Sequence, residues 1–136
     1  MPTISDLFFK AAILFLIIGI GIGINMAMSG NHSVLGAHAH INLLGWVTSA
    51  LFAGYYAHNP TKAEGLLPMV HFGVYMMGVV VMVGSLYLLL SGNVAMEPFV
   101  AAGSVVTFVG VLIFAVVVFS PTRNRAGASG FRAPAE

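Results

Sequence analysis

Ala37-His38-Ala39-His40-Ile41-Asn42-Leu43-Leu44-Gly45-Trp46-Val47 opens an apolar run that reaches Ala57. A helix needs about 20 apolar residues to cross roughly 30 Å of hydrocarbon, and Gly36–Ala57 supplies them. The histidine pair therefore enters a membrane near one face, where an imidazole is costly and reads as a functional site. Successive helical residues turn by about 100°, so side chains two positions apart look in nearly opposite directions. His38 and His40 cannot grip one ion from the same helix. They serve two sites, or two copies of one site, on opposite flanks.

Outward from this run the pattern repeats in Leu7–Met28, Leu67–Leu90 and Pro98–Phe119. Of the 136 residues, 59% are hydrophobic and 7% charged, against about a quarter charged in a soluble domain. Strands of a membrane barrel would be half as long and would alternate in polarity; these runs do neither. The sequence thus predicts an all-α integral membrane protein with four transmembrane helices over residues 1–121. The first run is longer than a signal-peptide core and is read as a retained helix. The small, polar residues 122–136 are expected to form a disordered cytoplasmic tail.

Orientation follows from the basic residues. With four crossings, Lys10, Lys62, Arg123, Arg125 and Arg132 share one side, and the other side carries only Glu97, in a loop. The positive-inside rule then places both termini in the cytoplasm, with His38 and His40 toward the outer face and His71 toward the inner one. The expected location is a bacterial or archaeal cytoplasmic membrane, crossed several times.

Composition also excludes chemistry. With no cysteine, disulfides, iron–sulfur clusters, thiolate-ligated haem and covalent haem attachment are ruled out. No basic patch exists to bind nucleic acid. Nucleophile–base pairs, phosphate loops and paired carboxylates are missing too, which argues against hydrolysis and phosphoryl transfer.

Five histidines among so few charges are the main chemical signal, because neutral imidazole is a standard ligand of metals and haem iron. His38 and His40 are the leading candidates. Asn42, four residues beyond His38, is placed to hydrogen-bond that ring's free nitrogen, and Trp46 is placed to line a cofactor pocket. His71 is a lesser candidate, expected in a wet position at the inner interface. His32 and His58 fall in or beside loops. Tyr55 and Tyr56 read as interfacial anchors, and Met69, Met76, Met77 and Met82 read as gap-filling packing. In the first run, Gly19, Gly21 and Gly23 form a small-xxx-small pattern that admits close approach by another helix. The fourth run carries no marked feature.

From His38-Ala39-His40 to Gly54-Tyr55-Tyr56, this segment resembles the tenth helix of subunit I of the haem-copper oxidases and nitric oxide reductases. There a His-x-His pair near the outer face precedes a Gly-aromatic-Tyr segment, and its two histidines bind two haems on opposite sides of one helix. That subunit has twelve helices in three arcs of four. The resemblance implies that this chain is one such arc and that a homotrimer stands in for the whole subunit. It further implies a b-type haem (haem b) held by His38 of one protomer and His40 of its neighbour. The family's copper site uses a His-His pair that this sequence lacks, and His71 lies at the wrong end of its helix. Gas reduction at a copper-containing centre is therefore not expected.

The expected protein is accordingly a cytochrome b-like membrane electron carrier, trimeric in the bilayer, with unknown electron donor and acceptor. If it is an enzyme, it is an oxidoreductase related to the haem-copper oxidases. The rival readings are an oxygen- or nitric-oxide-reactive haem enzyme, or a non-redox haem or metal sensor, carrier or oxidase assembly partner.

Overall fold

The structure, a computed structural model, describes residues Thr3–Pro121. The expected tail, with Arg123, Arg125 and Arg132, lies outside these residues. The first helix, α1 (Ile4–Ser29), starts at a reciprocal cap. The Asp6 amide donates to the Thr3 hydroxyl at 3.2 Å, and the Thr3 amide donates to the Asp6 carboxylate at 3.1 Å. This satisfies two amides that a helix start leaves orphaned. The helix stops at Gly30, whose φ of 67° suits a residue without a Cβ.

The stretch that opened the sequence reading is helical throughout but not uniform. It divides into α2 (Leu35–His40), a π-helical segment (Ile41–Thr48) and α3 (Ser49–His58). A π-helix bonds each amide five residues back instead of four, so it breaks the regular ladder. Three hydroxyls meet the carbonyls of this segment: Thr48 donates to Leu43 at 2.8 Å, and Tyr75 and Ser49 donate to Leu44 at 2.9 and 3.5 Å. Asn59-Pro60 then ends the helix. After a short 3-10 turn (Pro60–Lys62) come α4 (Leu66–Leu90), a second turn (Val94–Met96) and α5 (Glu97–Phe119). Glu97, expected in a loop, is the first residue of α5.

Helices α1, α4 and α5 are each long and apolar enough to cross a membrane. The fourth expected crossing falls on the interrupted α2–π–α3 stretch, which no single long α-helix spans and which is not among the helices long and apolar enough to cross a membrane. The chain packs as two hairpins. In one, α1 lies along the π segment and α3; in the other, α4 lies along α5.

The fourth run, expected to be featureless, owes its packing to small residues. Gly103, Thr107 and Gly110 are buried against α4. A Cβ on Gly103 would meet the Met82 backbone nitrogen at 2.5 Å, and one on Gly110 would meet the Tyr75 Cα at 2.9 Å. Between helices in lipid there is little hydrophobic drive to associate, so close backbone approach supplies the contact.

Two polar contacts gather the ends opposite the histidine pair. The Ser5 hydroxyl donates to the Ala53 carbonyl at 2.9 Å, tying α1 to α3. The Lys62 ammonium donates to the carbonyls of Val117 and Val118 at 3.1 and 2.6 Å. It thereby caps the α5 terminus with a cation, where the helix dipole favours one.

Candidate functional site

His38 and His40 both lie on α2 and meet different surroundings. His38 is half-buried and turns toward α1, where its Nδ1–H donates to the Gly19 carbonyl at 2.9 Å. The glycines of α1 make this approach possible. A Cβ on Gly23 would sit 2.9 Å from His38 Cε1, and one on Gly19 would sit 2.6 Å from Asn42 Oδ1. The Gly19-xxx-Gly23 pattern therefore receives two polar side chains, whereas Gly21 faces open space.

His40 is exposed, and its Nδ1–H donates to the Gly36 carbonyl one turn back at 2.7 Å. In each ring this bond fixes the proton on Nδ1 and leaves Nε2 with a free lone pair. Metal-binding histidines are commonly oriented in this way, with the far nitrogen held by a carbonyl. The pattern is not unique to the pair. His32 and His58, both exposed, make the same bond to Gly30 and Gly54 at 3.1 and 2.8 Å. What separates His38 is its partial burial and its seat on a neighbouring helix.

Asn42 reaches the His38 ring, as expected, and bonds the backbone more closely. Its Nδ2 donates to the His38 backbone carbonyl at 2.8 Å and lies 3.4 Å from His38 Nδ1. It anchors the turn that carries the histidine more than it holds the ring. Trp46 is half-buried on the π segment. Among the described residues, no three His, Cys, Asp or Glu side chains gather to hold a metal ion. Any metal bound through the histidine pair would need ligands from more than one chain, or a ligand count of one or two per chain. A bis-imidazole haem fits that donor set, because each flank supplies one neutral Nε2.

His71 departs most from its expected place. Instead of lying wet at the interface it is 0% exposed. Phe8 of α1, Phe52 of α3 and Phe114 of α5 surround it, with ring centroids at 4.9, 4.7 and 5.2 Å. Its Nδ1 shares a 2.9 Å hydrogen bond with the hydroxyl of Tyr56. The Tyr56 side chain is itself buried at 1% exposure, so it is not an interfacial anchor. His71 Nε2 is a buried nitrogen without a partner among the described residues. Phe52 stands edge-to-face to the imidazole, with an interplanar angle of 74°, a geometry in which a ring face receives an N–H weakly. Enclosed by rings from α1, α3 and α5, His71 contributes to the packing of the two hairpins.

The methionines divide by position. Met82 is buried at the α4–α5 seam, and Met69 and Met77 are exposed. The sequence reading missed the Tyr56–His71 pair. Only the aromatic positions Phe8, Phe52, Tyr56, Tyr75 and Phe114 hinted at it, and nothing in their spacing shows that four segments converge on one imidazole.

No family model, curated protein or solved structure matches this chain.

Proposed function

We propose that this chain is a multi-pass membrane protein that carries electrons through a b-type haem. In this reading the α2–π–α3 stretch is the fourth crossing, and both termini face the cytoplasm. His38 of one protomer and His40 of the next hold the haem in a trimer. The observation that carries the reading is the placing of the pair on α2: His38, half-buried, is seated against α1 with its Nδ1–H on the Gly19 carbonyl, while His40 on the other flank is exposed with its Nδ1–H on the Gly36 carbonyl, so that each offers Nε2. His40 is exposed on the surface of the single chain, where an uncovered imidazole facing lipid calls for a partner. A haem with two imidazole ligands supplies one-electron transfer and has no open position for oxygen or nitric oxide. The protein's own part is to fix both tautomers, to pin the His38 turn through Asn42, and to keep the site dry.

Visible spectra of the purified, membrane-extracted protein, oxidised and dithionite-reduced, test the proposal. The expected result is a six-coordinate low-spin haem that does not bind carbon monoxide and is lost in both His38→Ala and His40→Ala. Co-expressing the two variants tests the shared site. If ligands come from neighbouring chains, roughly a quarter of the interfaces regain both histidines in mixed trimers. Colourless protein from haem-replete cells, or a five-coordinate spectrum, would overturn the haem reading. A coloured wild type with no recovery in the mixed trimers would overturn the shared site alone.

A further inference from the structure

Between α1 and α4 lie two adjoining clefts that meet at Tyr87, and together they form a groove whose chemistry changes along its length in the same sense on both walls. On α1 the lining positions are Phe15, Ile18, Ile22, Asn25 and Ser29, spaced three and four apart so that they form one stripe. On the other wall Val80, Gly84, Tyr87 and Ser91 do the same. Ile41 lines the apolar half between them. That half holds about 480 Å³ and is walled almost wholly by hydrocarbon. The half at the histidine-pair end holds about 460 Å³ and mixes serine and asparagine side chains with Val34 and Leu90, with Tyr87 shared by both. From Phe15 to Ser29 the slot is about 21 Å long at 1.5 Å per residue.

The mouth is polar without being charged. The Ser29 and Ser91 hydroxyls turn back to the carbonyls of Asn25 and Tyr87 at 2.8 and 2.7 Å. The Asn25 carboxamide and the Tyr87 hydroxyl make no hydrogen bond among the described residues. No Lys or Arg stands at this end among them, and the one acidic residue there, Glu97, is exposed and outside the groove. A phosphate would find no cation here, whereas a hydroxyl or carbonyl would find free donors. At Gly84 a Cβ would meet nothing within 4 Å, so the slot has room for a chain.

We infer that this groove binds one lipid of the adjoining leaflet, its tail between α1 and α4 and its uncharged, hydroxyl-bearing headgroup among Asn25, Ser29 and Tyr87. The inference is independent of the haem. It is tested on the full chain in lipid nanodiscs with a diacylglycerol bearing a photoactivatable diazirine in its tail, and adducts are mapped by peptide mass spectrometry. Adducts are expected to concentrate on the Phe15–Ser29 and Val80–Leu88 segments. Excess dioleoylglycerol should suppress them about tenfold, and phosphatidylglycerol should not. Gly84→Leu, which fills the slot, should abolish labelling there, and so should Asn25→Leu combined with Tyr87→Phe. Gly54→Leu, on the exposed side of α3, should leave it unchanged. Equal competition by phosphatidylglycerol, or adducts spread evenly over every exposed helix face, would reduce the groove to ordinary lipid contact. Cross-links between two copies through the groove would show that protein fills it, and would overturn the proposal equally.

Discussion

At one end of the bundle His38 and His40 each donate Nδ1–H to a backbone carbonyl and make no hydrogen bond at the other ring nitrogen; at the opposite end His71 Nδ1 accepts from the Tyr56 hydroxyl and its Nε2 is buried without a partner among the described residues. The surroundings differ in the same way. His38 rests in a groove made of missing side chains, at Gly19 and Gly23, while His71 is packed among rings from α1, α3 and α5. An imidazole held by the backbone and seated half-open against a neighbouring helix, as His38 is, keeps a ring nitrogen available to a ligand. One closed in by aromatics joins helices together. The same residue type thus belongs to the core at one end and, in the proposed reading, to a site at the other, and the second-nitrogen environment distinguishes them.

The sharpest way to break this contrast is to remove a ring from the closed end. Phe52 is buried and touches Phe8, His71, Tyr75 and Phe114. Phe52→Ala should cost about 3–5 kcal/mol, the usual range for an aromatic-to-alanine cavity. Thermal or denaturant unfolding in detergent measures it. In the haem-free protein, His40→Ala, exposed and bonded only to its own turn, should lie within about 0.5 kcal/mol of wild type in the same assay. Equal losses at the two positions would erase the distinction between core and site.

A smaller effect is expected at the Tyr56–His71 bond. Tyr56→Phe leaves a second buried nitrogen unpaired on an imidazole that already has one, at a cost of about 1–3 kcal/mol. Tyr56→Phe combined with His71→Phe removes both partners and should recover part of that loss, because apolar replacement of a buried pair is often close to neutral. A double variant no more stable than Tyr56→Phe would show that the hydrogen bond matters less than the shape of the rings.

These two ends were unequally legible in the sequence. Long apolar runs and clustered basic residues are additive properties of composition, and they predict the helices within a few residues. The His38–His40 pair was visible because its two members are close along the chain and point apart by helical geometry alone. The site at His71 depends on Phe8, Phe52 and Phe114 meeting across three helices, and no local spacing encodes that convergence. The π segment was equally hidden. Ile41–Thr48 reads as an ordinary apolar helix, and its departure shows only once Tyr75, from another helix, is seen to bond the Leu44 carbonyl. The α4–α5 seam lay between these cases: Gly103 and Gly110 are plain in the sequence, but glycine is common in membrane helices, and only the neighbouring backbones show which glycines are needed.

The seat of His38 is tested by two glycines two residues apart. Gly23→Ala places a methyl group 2.9 Å from His38 Cε1, so the ring must shift. The expected result is faster modification of His38 by diethyl pyrocarbonate, with a stability change of about 1 kcal/mol. Gly21→Ala meets nothing within 4 Å and should leave both unchanged. If the two variants behave alike, the small-residue groove does not position the ring.

Asn42→Ala is expected to have the smallest effect. It removes a 2.8 Å side-chain bond to the His38 carbonyl. That carbonyl lies at the junction of α2 with the π segment, where the regular i to i−4 ladder changes to i to i−5. Losing one neutral hydrogen bond in a half-buried position costs about 0.5–1.5 kcal/mol in water, and cycles between membrane helices average about 0.6, so the lower figure is the better guide. The more telling readout is local: amide hydrogen exchange at Ile41–Gly45 should quicken, while exchange at the aromatic end around His71 should stay as slow as in wild type. Faster exchange at both ends would mean that the π segment and the aromatic box open as one unit, and that the two histidine environments are not independently held.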